Sequence, residues 1–111
     1  MAYDEKLAQR VRDILAARPG FSERKMFGGM CFMLFGHTAC GIVGDELMVR
    51  LDPKQYDDAL SRPHARPMDF TGRPMKGMVY VGTGGFKSDA ALAEWVERGA
   101  GFVSTLPPKR R

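Results

Sequence analysis

A chain of 111 residues with 44% hydrophobic and 27% charged side chains has the makings of one ordinary globular domain with a single core. The longest apolar run, residues 30–35, is far too short to cross a bilayer, and with Asp4 and Glu5 and no apolar stretch at the N-terminus no secretory signal is expected. The formal charge of +4 divides into −1 over residues 1–60 and +5 over residues 61–111, which permits attraction to an anionic partner without requiring one. A cytoplasmic location is expected, with Cys31 and Cys40 as reduced thiols.

The first predicted element is a helix over residues 4–18. Leu7, Val11, Ile14 and Leu15 fall on one face, Asp4 caps the start, Arg18 suits the negative end of the dipole, and Pro19-Gly20 stops it. Phe21 is expected to tuck beneath it. Residues 22–27 suit a short strand that turns at Gly28-Gly29.

The stretch from Lys25 to Leu51 organises the rest. Its apolar runs, 30–35, 39–43 and 47–51, are separated by Gly36-His37 and Gly44-Asp45-Glu46, the punctuation of an antiparallel meander. A helix here is disfavoured because each of its glycines costs about 1 kcal/mol against alanine. Alternation puts Met30, Phe32 and Leu34 on one face of the sheet and Cys31, Met33 and Phe35 on the other. Both faces are apolar. One is expected against helices, and the other points to self-association or a protein partner.

Asp52-Pro53 opens a second helix, about residues 53–60, with Tyr56, Ala59 and Leu60 inward. Residues 62–67 read as an extended linker, because residues before proline avoid the helical region. Two strands follow, residues 68–70 and 77–82, and residues 83–85 form a loop. Ser88 caps a last helix through Leu92, Trp95, Val96, Gly99, Phe102, Val103 and Leu106, with a kink or break expected near residue 100 because Gly99 and Gly101 weaken it. The order is α-β(3–4)-α-β(2)-α: an α+β fold, an antiparallel sheet with helices packed on one face. Residues 1–106 form the domain and residues 107–111 a basic tail.

Four stretches together resemble the TfoX N-terminal-domain family, named after the bacterial competence regulator TfoX, also called Sxy. They are Lys25-Met26-Phe27-Gly28-Gly29 with Phe32; the Gly36, Gly41, Asp45, Leu47-Met48-Val49-Arg50 meander; Pro67-Met68-Asp69-Phe70 through Met75-Lys76-Gly77-Met78-Val79-Tyr80-Val81; and Trp95-Val96 with Leu106-Pro107-Pro108-Lys109. The resemblance implies the same α+β fold in a bacterial protein. The competence regulator carries a second domain, so a chain ending here resembles a stand-alone member lacking it. The family supplies no catalytic residues to transfer.

Candidate sites are few. Met26, Phe27, Gly28 and Gly29 read as a structural turn, because phosphate loops lead from a strand into a helix and these glycines lie between strands. Thr83-Gly84-Gly85-Phe86-Lys87-Ser88 does lead into a helix but lacks the upstream glycine of a phosphate loop. Cys31, His37 and Cys40 lack the paired spacing of a zinc site, and the thiols read as small core residues. His64 is expected in solvent. Asp45, Glu46, Asp57 and Asp58 look like turn and surface acids. No catalytic residue, metal site or cofactor is expected, and the chain reads as a non-enzymatic regulatory or interaction domain that binds a protein partner or itself. The alternative is weak nucleic-acid binding through a loop patch of Arg66, Arg73, Lys76 and Lys87, with Arg62 alongside.

Overall fold

Helix α1 (Glu5–Leu15) opens the fold in the computed structural model, which describes residues 3–26, 28–69 and 74–106. The Asp4 carboxylate caps it by accepting from the backbone N–H groups of Lys6 and Leu7 at 2.9 and 3.2 Å. Leu7, Ala8, Val11 and Leu15 are buried along one face. The helix stops earlier than its pattern predicts, and Arg18 pairs with Glu97 rather than lying in a last helical turn.

Four strands then run as consecutive antiparallel hairpins: β1 (Phe21–Met26), β2 (Gly29–Leu34), β3 (His37–Val43) and β4 (Glu46–Arg50). Phe21 is the first residue of β1, and its ring stacks on Phe32 with centroids 6.3 Å apart. A 3-10 turn (Pro53–Gln55), capped by Asp52, runs into the short helix α2 (Tyr56–Leu60). Strands β5 (Ala65–Asp69) and β6 (Pro74–Val81) pair with each other, and β6 docks antiparallel on β4, giving a six-stranded sheet in the order β1-β2-β3-β4-β6-β5.

Residues 62–67 are therefore not all linker. Pro67 sits inside β5, which is tolerated because β5 is an edge strand whose outward N–H groups have no ladder partner.

A 3-10 turn (Thr83–Phe86) leads to α3 (Asp89–Val103), capped by the Ser88 hydroxyl accepting from Ala91 N–H at 3.1 Å. The expected break near residue 100 is absent, and the helix runs uninterrupted to Val103. Gly99 is there for contact: a Cβ on it would lie 2.2 Å from the Ala39 carbonyl oxygen, so its absence lets α3 rest directly on the sheet backbone. All three helices contribute to one core with Phe32, Leu34, Ile42, Val49 and Val79 on the inner face of the sheet. The fold is α+β, with its helices on a single face.

Candidate functional site

The strand register defines the opposite, helix-free face. Residues directly opposite on neighbouring antiparallel strands share a face. Successive pairings place Arg24 (β1), Cys31 (β2), Gly41 (β3), Met48 (β4), Tyr80 (β6) and Arg66 (β5) side by side in one row across all six strands. Cys31 and Met48 form a second apolar cluster with Met78 and Tyr80, separate from the helix-covered core. Cys31 is 3% and Met48 5% exposed, while Met78 and Tyr80 are half-buried. A Cβ at Gly41 would lie 2.7 Å from the Met48 methyl carbon, so that methyl group occupies the space a side chain at position 41 would need.

The two ends of the row differ electrostatically. Arg66 holds Glu46 with both guanidinium nitrogens, one contact at 2.7 Å, and its guanidinium carbon lies 4.7 Å from the Tyr80 ring centroid. The hydrogen bonds from Arg66 keep the Glu46 carboxyl below its ordinary range. Arg24, at the other end, is exposed and makes no ion pair among the described residues. Beyond the row, Phe35 is 48% exposed at positive φ, the one large exposed hydrophobic side chain among the described residues.

The basic residues singled out from the sequence fall in different places. Arg66 lies on the helix-free face. Lys87 is exposed on the helix side, between the second 3-10 turn and α3, where Arg10 of α1 donates to the Phe86 carbonyl at 3.0 Å. Lys76 belongs to β6, and Arg73 lies outside the described residues. Arg62 is taken up by Asp58 and Glu94. Of the glycine motif, Met26 ends β1, Gly28 lies in the β1–β2 turn, Gly29 begins β2, and Phe27 lies outside the described residues.

Cys31 and Cys40 stand on neighbouring strands but face opposite sides of the sheet. Burial pushes both thiols up from their ordinary range, which keeps them protonated and unreactive at neutral pH. No group of three His, Cys, Asp or Glu side chains among the described residues can hold a metal ion. Nor is any described helix long and apolar enough to cross a membrane.

Two shallow cavities flank α3. One, about 480 Å³, is lined by Asp52, Gln55, Glu94, Glu97, Arg98 and Phe102. The other, about 320 Å³, lies among Arg62, Pro63, His64, Gly84, Gly85 and Trp95. His64 has φ +71 there and its ring lies against Gly84, a placement with no local sequence signal. The charged walls largely neutralise themselves through Arg62–Glu94 at 3.3 Å and Arg98–Asp58 at 3.1 Å.

The model of the TfoX N-terminal domain matches residues 13–102, most of the chain and all six strands. The chain belongs to the TfoX N-terminal domain family. Neither a curated protein nor a solved structure matches it. In this TfoX-family domain the matched region runs from within α1 to Phe102 near the end of α3, so it takes in the whole row from Arg24 to Arg66.

Proposed function

We propose that this TfoX-family domain is a non-enzymatic interaction module that binds protein through the helix-free face of its sheet. The observation that carries the reading is the Cys31–Met48–Met78–Tyr80 cluster, in which half-buried Met78 and Tyr80 pack against buried Cys31 and Met48 on a face that no described helix covers. A sheet face used only as a surface needs alternating polar residues; this one instead presents half-buried Met78 and Tyr80, residue types that adapt to a partner surface and supply contact area. Among the described residues the thiols are buried and protonated, and Arg62, Glu94, Glu97 and Arg98 by the cavities are held in ion pairs, which supports a binding role over a catalytic one.

The test replaces Tyr80 with Asp and checks the fold by circular dichroism. Binding of a protein partner, recovered in stoichiometric amount by the wild type, is expected to be lost in Tyr80→Asp and kept in the helix-side variant Lys87→Ala. Retention by Tyr80→Asp overturns the reading. A second reading, weak binding of single-stranded nucleic acid, draws on the stacked Arg66–Tyr80 pair and the positive second half of the chain.

A further inference from the structure

We infer that the free edge of β1 accepts an extended acidic segment of a partner protein as an added strand of the sheet, with adjacent carboxylates meeting Arg24 and Lys25. The inference goes beyond the reading of the helix-free face, because it uses the edge of the sheet and not the Tyr80 cluster.

The sheet ends on β1 and β5. β5 is an interrupted edge: it carries Pro67, which has no N–H to offer, and its pairing with β6 shifts register between Pro67 and Asp69. β1 has neither device. It contains no proline and pairs with β2 in unbroken register from Phe21 to Met26. The Phe35 N–H donates to the Gly20 carbonyl at 2.9 Å, so that carbonyl points toward β2. A trans peptide turns the following N–H the opposite way, and the alternation of a strand continues from there. Phe21, Glu23 and Lys25 therefore each direct one N–H and one C=O away from β2. No backbone group of another described segment bonds to them, which leaves a row open to strand addition.

The side chains select what is added. Glu23 is taken up by Arg12 of α1. Arg24 and Lys25 are exposed, and neither forms an ion pair among the described residues. They flank the edge, Arg24 on the helix-free side and Lys25 on the helix side, because successive residues of a strand point to opposite faces. Two consecutive acids in an added antiparallel strand answer both. The same charges disfavour a second copy of β1. Antiparallel self-pairing sets Glu23 on Glu23, Arg24 on Arg24 or Lys25 on Lys25, according to register. The matching segment thus carries an acid opposite Lys25, an acid opposite Arg24, neutral β-formers opposite Glu23 and Ser22, and an apolar residue opposite half-buried Phe21.

The probe is the capped peptide Val-Glu-Glu-Thr-Thr-Val, titrated to millimolar concentration into the isotope-labelled full chain and followed by NMR. Amide shifts centred on β1 are expected, with hydrogen exchange slowed at the N–H groups of residues 21, 23 and 25. Arg24→Glu/Lys25→Glu is expected to weaken binding about tenfold at low salt and to favour Val-Lys-Lys-Thr-Thr-Val instead. N-methylation of the first Glu, the first Thr and the last Val, whose N–H groups face β1, should abolish binding. N-methylation of the second Glu and second Thr, whose N–H groups face away, should leave it intact. Equal effects of the two methylation patterns overturn strand addition. Equal affinity of the wild type for the acidic and basic peptides overturns the acidic partner, and no binding at millimolar peptide overturns the edge as a site. Tyr80→Asp, on β6, should bind the peptide like the wild type. Loss of binding there would move the peptide to the helix-free face and overturn the edge, whereas failure at the edge alone leaves the reading of that face standing.

Discussion

Gly99 and Gly101 show how little a residue's type says without its surroundings. Both are glycines in the last turns of α3, and the propensity argument assigns each the same weakening of the helix. In the fold they differ completely. A Cβ at position 99 would meet the Ala39 carbonyl oxygen at 2.2 Å and the Arg50 carbonyl oxygen at 3.2 Å, whereas a Cβ at position 101 has nothing within 4 Å. Gly99→Ala is therefore expected to destabilise by about 2 kcal/mol or more, because two backbones must part to admit a methyl group. Gly101→Ala is expected to stabilise by about 0.5–1 kcal/mol through helix propensity alone. Urea denaturation at unchanged m-value reads both. The expected break near residue 100 failed for the same reason: tertiary contact with the sheet outweighs the intrinsic cost of the glycines.

At the scale of elements, local chemistry was legible and lateral placement was not. Asp4, Asp52 and Ser88 mark helix or 3-10 starts because a cap needs only residues two or three positions away. The glycine-punctuated meander and the two-sided apolar alternation are likewise local patterns. The row from Arg24 to Arg66 could not be read, because it depends on β6 inserting between β4 and β5 and on the register of five pairings. The partner of Glu23 was equally hidden. Arg12 of α1 grips this β1 carboxylate with two hydrogen bonds, one of 2.8 Å, tying the helix to the edge of the sheet. Those bonds hold the Glu23 carboxyl below its ordinary value of 4.5. A carboxyl with a lowered folded-state pKa adds stability that is present above its unfolded pKa and lost as pH falls through the folded one. Glu23→Gln is thus expected to cost about 0.5–1 kcal/mol at pH 7 and progressively less below pH 4.5. Urea midpoints of both proteins across that interval check the sign.

For the whole molecule, the question is whether a net charge of +4 makes a field or only a sum. Among the described residues six arginines, Arg10, Arg12, Arg18, Arg62, Arg66 and Arg98, are ion-paired, three of them in the second half of the chain that carries the +5 excess. Their acids come from both halves: Asp58 and Glu46, from the more acidic first half, neutralise Arg62, Arg98 and Arg66 in the second. Folding thereby mixes charges that the linear sequence separates. Lys87 is left exposed on the helix side while Arg66 is occupied on the sheet side, so these two do not add into one phosphate-tracking stripe. A protein that contacts several phosphates loses affinity steeply with salt, with a slope near 0.7 per contact on single strands. The expected result with labelled single- and double-stranded DNA and RNA is weak binding whose salt slope corresponds to about one or two contacts, unchanged by Lys87→Ala. A steep slope that Arg66→Ala and Lys87→Ala both flatten would show the charges acting together, and would move the function from the apolar face to a basic one.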